Sequence, residues 1–307
     1  MKKNRKFIIC AIFGGLGNQV LQYFFAKSLA KKLNCKLILD ITWCKLKFPY
    51  SKYLKENANK FVLNNFTIKS VEIKKNIFKF NFKYISYLRY LHKKIIILIS
   101  KYLFSYPVNN IFFDNIVNEI DKEIDFKNFT INSYYFGYWQ KIITSNSFDE
   151  NLKKNFFLVK KEKLLKIKKK INNKTVALHI RGGDYLLKKN NILDVMDYNY
   201  FFKCVKFYKQ KIKNPVFHIF TDDMIYASKI LNKIDFNFKK FFINEFNLSD
   251  LEEFELLRNY SAYIISNSTF SLVSCFLSYK SKTVLAPKFW FKGKKNNLIN
   301  TKELKLI

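Results

Sequence analysis

Short apolar runs alternate along the chain with longer segments whose apolar residues recur at helical spacing. The first apolar run covers residues 7–13, and a second run at 36–41 ends near Asp40. Between them lies 20–33, which has the i, i+3, i+4 spacing of an amphipathic helix. This order of strand, loop, helix and strand predicts a right-handed βαβ unit at the start of a parallel sheet.

The second half of the chain continues this alternation. An apolar segment at 175–180 predicts a strand buried on both faces. The helix predicted at 198–211 is expected to end before Pro215, because helices rarely run into a proline. Further strands are predicted at 216–220, 241–244, 262–265 and 283–286, and further helices at 250–259 and 272–279. We therefore expect an α/β fold.

The length of 307 residues suits two domains of about 150 residues each. A lysine-rich helix predicted at 160–171 is interpreted as the bridge between domains at 1–159 and 160–307. Residues 57–128, which are rich in Lys, Asn and aromatic side chains, are predicted to be a basic insertion in the first domain with a helix over 84–103. That helix could pack against the core or rest on a membrane surface.

The formal charge of +33 comes from 56 basic and 23 acidic residues. Lys, Asn, Ile, Phe and Tyr are abundant together, which is typical of a codon bias toward A and T, so we discount the charge as a functional signal. It is compatible with an anionic membrane surface or an acidic substrate. The apolar content of 49% excludes general disorder.

The five cysteines are scattered and odd in number, which predicts reduced and mostly buried thiols in a cytosolic chain. With three histidines and no Cys-x-x-Cys, a Cys/His metal site is not expected. The basic start and the short apolar run at 7–13 lack a cleavage site, so we interpret the run as a strand and not as a signal peptide. The apolar run at 95–99 is too short to span a bilayer. We expect a cytoplasmic protein, with peripheral contact at the inner membrane left open.

The segment 176–185 carries the candidate chemistry. Its apolar strand is followed at once by Arg181, Gly182, Gly183 and Asp184. At the carboxyl edge of a parallel sheet, where ligands bind, an arginine fork suits a phosphate; the alternative is an ordinary loop with an Arg–Asp surface pair. The chain has seven glycines, of which three lie at 14–17 and two at 182–183. Such clustering indicates two backbone positions with a specific purpose.

Three loops of the second half are predicted to end strands at one sheet edge: 181–184, 221–223 and 266–271. The last contains Ser, Asn and Thr at a predicted helix start, where free N–H groups and the helix dipole favour an anion. Helix capping alone is the alternative interpretation, although a single Ser or Thr would suffice for it. Asp222 and Asp223 could form a turn, an N-cap or part of the site, and they lack the Asp-x-Asp spacing of many metal-dependent sugar-nucleotide enzymes.

Taken in order, these motifs resemble the α-1,2-fucosyltransferases of glycosyltransferase family 11. The matching segments are Gly-Gly-Leu-Gly-Asn-Gln at 14–19, Gly-Tyr-Trp-Gln at 137–140, His-Ile-Arg-Gly-Gly-Asp-Tyr at 179–185, Thr-Asp-Asp at 221–223, Asn-Ser-Thr-Phe-Ser at 267–271, and Ala-Pro-Lys with Trp-Phe between 286 and 291. The resemblance implies a GT-B fold, in which two Rossmann-like domains face each other across a cleft. GDP-fucose would bind the second domain and the acceptor the first.

The activity implied is inverting transfer of fucose from GDP-β-L-fucose to the 2-hydroxyl of a galactoside in a surface glycan, without a metal or another cofactor. Arg181 would stabilise the departing phosphate, and Asn18 would reach the same diphosphate from the first domain. His179 and Glu253 would contact guanine and ribose, and Asp184 would hold the Arg181 loop. The other residues assigned to donor binding are Gly17, Asp222, Asp223, Asn267, Ser268, Thr269, Phe270 and Ser271, and the structural glycine loops are Gly14 with Gly15 and Gly182 with Gly183. The general base is not assigned.

The chain departs from the family pattern at three places. Gly182 stands where the family usually has a second Arg, and Glu253 stands where it typically has Asp. Residues 271–273 are Ser-Leu-Val in place of Ser-Trp-Trp. We expect Gly182→Arg to be tolerated unless this position needs a positive φ.

Other classes of function remain open. A basic nucleic-acid-binding protein would account for the charge, but the chain lacks a clustered recognition motif. A dinucleotide-binding oxidoreductase would account for 14–17, but the G-x-G-x-x-G spacing is missing. Within the enzyme interpretation, the alternative is transfer to a different hydroxyl or from a different GDP-sugar.

Overall fold

The computed structural model describes residues 6–45, 60–75, 77, 104–114, 123–158, 164–186, 193–234, 239–280, 282–295 and 304–307. The chain divides into two compact units, Met1–Phe156 and Phe157–Ile307, so the predicted boundary at 159/160 lies just inside the second unit. Each unit contains its own parallel sheet with helices. The predicted α/β class is therefore confirmed, with the two Rossmann-like domains that the GT-B type requires.

The elements of the first unit are β1 (Phe7–Ala11), α1 (Leu16–Lys32), β2 (Lys36–Asp40), β3 (Glu72–Lys74), β4 (Asn110–Phe113), β5 (Ser133–Phe136) and α2 (Glu150–Asn155). The strands form a five-stranded parallel sheet in the order β3-β2-β1-β5-β4. The central strand β1 is buried at every position because it pairs with β2 on one side and β5 on the other. The predicted βαβ unit at the start of the chain is thus confirmed.

The prediction that residues 57–128 form an insertion is wrong for the parts of this range that the structure describes. Both edge strands of the first sheet, β3 and β4, come from this range. Their side chains are half-buried or exposed, because each edge strand pairs on one side only. The helix predicted over 84–103 lies outside the described residues.

Helix α1 differs from the predicted amphipathic helix in start and in burial. It begins at Leu16, inside the predicted glycine loop, and Gly15 is its N-cap. Twelve of its 17 residues are buried, because the sheet covers one side and aromatic side chains cover much of the other. Among these contacts, the ring of Phe25 stacks on Trp139 at 3.9 Å, and Phe24 packs edge-on against Phe156 at 5.2 Å.

The second unit contains a six-stranded parallel sheet in the order β13-β10-β9-β6-β7-β8. Its elements are α3 (Leu164–Lys168), β6 (Thr175–Ile180), α4 (Tyr198–Lys211), β7 (Val216–Thr221), α5 (Met224–Lys233), β8 (Lys239–Phe242), α6 (Asp250–Leu257), β9 (Ala262–Ile264), α7 (Thr269–Phe276), β10 (Thr283–Ala286), the hairpin of β11 (Phe289–Phe291) and β12 (Lys294–Lys295), and β13 (Leu304–Leu306). The bounds predicted for β6, α4 and β10 are confirmed. The helix predicted as the bridge is the short α3, whose Leu164 and Ile167 are buried within the second unit.

All five cysteines are free thiols, four of them buried and Cys35 half-buried, as predicted. Burial raises the pKa of the Cys35 thiol to about 11, so it remains protonated near neutral pH. None of the helices in the described ranges has the length and apolar character needed to cross a membrane.

Candidate functional site

The carboxyl ends of three neighbouring parallel strands in the second unit bring together three of the predicted loops. Strand β6 pairs with β7 so that Ile180 lies beside Thr221, and it pairs with β9 so that Leu178 lies beside Ile264. The segments that follow these strands, 181–184, 222–223 and 265–268, therefore meet at one edge of the sheet. The predicted convergence of the three loops is confirmed.

Arg181 is held between two carboxylates at this edge. Its Nη2 lies 2.5 Å from Oδ1 of Asp184, and its Nη1 lies 3.0 Å from Oδ2 of Asp222. Burial opposes the charge of the guanidinium, but Asp222, Tyr185 and Asp184 outweigh it, so the pKa of Arg181 is raised above its ordinary value. Its Nε is buried and has no hydrogen-bond partner among the described residues. The direction of the guanidinium is thus fixed before any ligand binds.

The two aspartates after β7 build the Arg181 loop. Oδ1 of Asp222 accepts a hydrogen bond from the Gly182 N–H at 2.9 Å. Asp223 is the N-cap of α5, accepting from the Tyr226 N–H at 2.9 Å, and it also accepts from the Gly183 N–H at 3.4 Å. The N-cap interpretation of the sequence therefore holds for Asp223. A role in donor binding for either residue stays a prediction.

Gly182 is constrained by space and not by its backbone angles. Its φ is not positive, whereas Gly183 has a φ of +42°. A Cβ at position 182 would lie 2.8 Å from the Cβ of Asp223, closer than side-chain carbons approach each other. The expectation that Gly182→Arg is tolerated is therefore wrong, because Asp223 would have to move to make room for it.

His179 occupies the end of β6 as a buried neutral imidazole. It is 4% exposed, and its ring lies 5.9 Å from that of Phe270 at an angle of 25°. Burial lowers its pKa to about 4, with Asp222 opposing this shift and Arg181 adding to it. Its Nδ1 is buried and has no partner within the described ranges. An unsatisfied ring nitrogen of this kind favours a hydrogen bond to a ligand.

Helix α6 reaches the site through an aromatic contact. Phe254 packs edge-on against Phe270 with ring centroids 5.5 Å apart, and Phe270 in turn faces His179. Glu253 precedes Phe254 in the first turn of α6 and is half-buried. The predicted base-contacting residues thus lie on elements that meet at Phe270.

Segment 266–271 connects β9 to the start of α7. Ser268 is the N-cap and makes no side-chain capping bond, which leaves its hydroxyl uncommitted to the helix. The first N–H groups of a helix have no intrahelical acceptor, so this end of α7 offers donors and a positive dipole to an anion. Nδ2 of Asn267 donates to the carbonyls of Asp194 and Trp290 at 2.9 and 3.0 Å, and its buried Oδ1 has no partner in the described chain. Ser271 donates its hydroxyl to the Ser268 carbonyl at 3.2 Å.

In the first unit, the glycine loop is the tight entry into α1. Gly14 has a φ of +75°, which favours glycine, and Gly17 and Asn18 lie in the first turn of the helix. Oδ1 of Asn18 is buried without a partner in the described residues. Gln19, whose role the sequence analysis missed, donates to the carbonyls of Gly14 and Lys60 at 2.9 and 2.8 Å.

The turn at 137–140 is held by two other residues without an assigned role in the sequence analysis. Gln22 accepts from the Phe13 N–H at 3.0 Å and donates to the Gly137 carbonyl at 3.1 Å. Oδ2 of Asp114 accepts from the Trp139 N–H at 2.6 Å, and a Cβ at Gly137 would lie 2.2 Å from the Asp114 Cβ. This close approach explains the glycine of the Gly-Tyr-Trp-Gln motif. The available signal was the pair of glutamines among the apolar residues of the buried part of α1.

Metal-ligating side chains do not converge in the described part of either unit, where no group of three or more His, Cys, Asp or Glu could hold an ion. The groups available for a phosphate are a fixed guanidinium and a helix start. Both suit a nucleoside diphosphate leaving group.

Comparison with known proteins identifies the family. The model of glycosyl transferase family 11 matches residues 7–303. The chain belongs to this family. The family 11 chain is 26% identical over 302 residues to the O-antigen biosynthesis glycosyltransferase WbnK of Escherichia coli, covering 91% of this chain and 93% of that protein. It is 27% identical over 180 residues to an alpha-1,2-colitosyltransferase of Escherichia coli, covering 53% of this chain and 58% of that relative.

Among solved structures, this glycosyltransferase is similar to fucosyltransferase NodZ from Bradyrhizobium. The two share 14% sequence identity with a TM-score of 0.47, and the match covers 90% of this chain and 94% of that one. The predicted family is thus confirmed by the family model, which extends over nearly the whole chain.

Proposed function

We propose that this glycosyltransferase is an inverting, metal-independent galactoside 2-α-L-fucosyltransferase with GDP-β-L-fucose as donor. The observation that carries the proposal is that the fixed Arg181 guanidinium and the amino end of α7 lie at the same sheet edge, where β6, β7 and β9 end. These groups supply charge and N–H donors to a diphosphate without a metal. The family motifs around them supply the link to fucose transfer.

The reaction needs one bond to form and one to break. The oxygen of the galactoside 2-hydroxyl attacks the anomeric carbon of fucose from the face opposite the phosphate, which inverts the configuration. The bond between that carbon and the β-phosphate oxygen breaks, GDP leaves with the electron pair, and the hydroxyl proton passes to a base. Negative charge therefore grows on the β-phosphate, where preorganised donors are most effective. Arg181 and the first N–H groups of α7 would stabilise that charge.

Guanine recognition is proposed for the region around Phe270. Guanine presents N1–H and N2–H₂ donors side by side, which a carboxylate such as that of Glu253 can accept together. The unsatisfied Nδ1 of His179 offers a further contact to the base or ribose. Asn18 and the backbone of Gly17, in the first turn of α1, would contact the diphosphate from the first unit.

A second candidate is transfer of a different sugar or transfer to a different hydroxyl. One relative is named an alpha-1,2-colitosyltransferase, which favours a related sugar with the same linkage, and another is named for O-antigen biosynthesis, which favours a surface glycan as acceptor. We therefore propose a panel of nucleotide-sugars, with GDP-fucose, GDP-mannose, GDP-colitose and UDP-galactose each offered with a galactoside. Release of nucleotide identifies the donor, and a 2-deoxygalactoside as matched acceptor tests the hydroxyl. Equal transfer to the 2-deoxygalactoside would exclude the proposed linkage.

Nucleotide binding provides a test independent of turnover. A ligand that binds only the folded state stabilises it by mass action, so GDP at about a hundredfold excess over its Kd should add about 2–3 kcal/mol to the free energy of unfolding. UDP and NAD should add far less. Equal stabilisation by UDP would contradict guanine recognition, and salt-sensitive DNA binding without any effect of GDP would favour the nucleic-acid alternative.

A further inference from the structure

The hydroxyl of Ser266 connects the two parts of the candidate site, the Arg181 loop and the start of α7. Ser266 follows β9 closely and is fully buried, at 0% exposure. Its Oγ donates to the His179 carbonyl at 2.9 Å and accepts from the Arg181 N–H at 3.1 Å. Its own carbonyl accepts from the N–H of Ser268, the N-cap of α7, at 2.8 Å. One residue therefore contacts the main chain on both sides of the site.

We infer that Ser266 is a positioning residue that fixes Arg181 and the start of α7 relative to each other as one anion-binding unit. This inference rests on the proposed function. The two bonds of its hydroxyl hold the peptide planes on either side of Ile180, and these planes set the direction in which the side chains of His179 and Arg181 leave the strand. The third bond sets the entry of the chain into α7. The hydroxyl acts through Arg181 and does not itself touch the reacting atoms.

Ser278 provides a matched control in the same unit. It is 2% exposed, and its Oγ donates to the Tyr260 carbonyl at 3.1 Å and accepts from the Lys280 N–H at 3.3 Å. Its hydroxyl thus makes the same pair of main-chain contacts, but at the other end of α7. Loss of either hydroxyl removes two hydrogen bonds to the main chain. The Tyr260 carbonyl keeps the hydrogen bond from the Tyr263 hydroxyl at 2.8 Å, so Ser278→Ala should lose no more stability than Ser266→Ala.

The experiment is a double-mutant cycle between Ser266→Ala and Arg181→Ala, with kcat, donor KM and the Kd of GDP measured well below the melting temperature. Misplacing a reacting group by about 1 Å can cost about a hundredfold in rate, so we expect Ser266→Ala to lower kcat by roughly 10–100-fold. Ser278→Ala should leave kcat within about twofold. In the Arg181→Ala background, Ser266→Ala should cost less than about threefold, because the group it positions is gone. Ser266→Thr, which keeps the hydroxyl, should recover part of the rate.

Additive effects of Ser266→Ala and Arg181→Ala would overturn the positioning role, and so would equal losses of kcat in the Ser266 and Ser278 variants. If Ser266→Ala does not fold, Ser266→Cys replaces it in the same double-mutant cycle, because cysteine has a similar volume but makes weaker hydrogen bonds. The proposed function is tested separately, with the wild-type protein. Transfer from a donor other than GDP-fucose would change the proposed function, but the double-mutant cycle would still test the positioning role of Ser266. A wild-type chain that binds no nucleoside diphosphate would overturn both.

Discussion

Replacing Arg181 with lysine tests whether this residue stabilises the leaving group or merely completes a surface ion pair. The guanidinium contacts Asp184 through Nη2 and Asp222 through Nη1, at 2.5 and 3.0 Å, so each carboxylate uses a different nitrogen. A lysine ammonium has three N–H donors on one nitrogen and no planar fork, so it cannot hold both carboxylates and also present a pair of parallel donors to a phosphate. The charge is retained in Arg181→Lys, and only the fork is lost.

Arg258 is a matched arginine in the same unit. Its Nη1 pairs with Glu255 at 2.8 Å, and its guanidinium lies 5.4 Å from the Tyr279 ring, as that of Arg181 lies 5.1 Å from Tyr185. It is 3% exposed and lies outside the three loops that meet at the candidate site. Arg258→Lys therefore removes a similar set of contacts from the core and not from the candidate site.

We expect opposite outcomes for the two variants. Loss of one preorganised oxyanion donor costs about 2.7–4 kcal/mol in the transition state, so kcat of Arg181→Lys should fall by roughly 10²–10³ with little change in melting temperature. Arg258→Lys should lower the melting temperature by about 2–4 °C for each kcal/mol lost and leave kcat of the folded protein nearly unchanged. Steady-state transfer from GDP-fucose to a galactoside and thermal unfolding measure both. Activity of Arg181→Lys within tenfold of wild type would refute its role as the leaving-group clamp.

Three further outcomes follow from the structure. Burial lowers the pKa of His218 to about 4, and Lys170 adds to this shift. Burial likewise lowers the pKa of His179 to about 4. Because both values lie below the ordinary 6.5, the unfolded chain binds more protons than the folded chain between pH 4 and pH 6.5. The free energy of unfolding should therefore fall as the pH drops from 6.5 to 4, by up to about 3 kcal/mol per histidine, and urea unfolding of His218→Asn should show a flatter pH dependence than wild type. Transfer should keep its full rate in EDTA, because in the proposed mechanism Arg181 and α7 stabilise the leaving group in place of a metal; a loss restored by manganese or magnesium would contradict that mechanism. Gly182→Ala should lose about 1–3 kcal/mol through the contact of its Cβ with Asp223. Gly15→Ala, where no atom lies within 4 Å of a Cβ, should lose only about 0.5–1 kcal/mol, because alanine is a poorer N-cap than glycine; equal losses would refute the steric explanation.

The sequence predicted elements well where burial and local signals agree. Strand β6 is a continuous apolar run because both its faces are covered, and α4 has an Asp197 cap at its start and Pro215 shortly after its end. Helix α5 was missed, because its capping residue Asp223 was assigned to the site and only three of its residues are buried. The edge strands β3 and β4 have weak patterns, since half-buried strands lack both the continuous apolar run and a clear alternation. At the early start of α1, Gln19 bonds to Gly14 and to the backbone at 60–62, and the contacts with 60–62 join residues too far apart in the sequence for a local pattern to reveal.

The motifs predicted which loops meet, but not how they are connected. Asp222 reaches Arg181 because Ile180 and Thr221 are partners in the register of β6 and β7. A register is a property of the folded sheet, so sequence spacing alone cannot give it. For the same reason the contact between the Gly182 position and Asp223 was not foreseen, and a comparison of family residues suggested that Arg would fit there.

The two carboxylates around Arg181 explain why its loss is expected in kcat. One arginine and two aspartates give these side chains a net charge of −1, and His179 is neutral near pH 7 because its pKa is about 4. Asp223 adds a third carboxylate to this edge, so in the proposed mechanism side-chain charge does not attract a diphosphate in the ground state, and the N–H groups of α7 would supply that attraction. The acids instead hold the guanidinium in one direction, so the proposed reaction would need no reorganisation of Arg181 as charge grows on the β-phosphate. An interaction that strengthens only as the bond breaks lowers the barrier without tightening substrate binding.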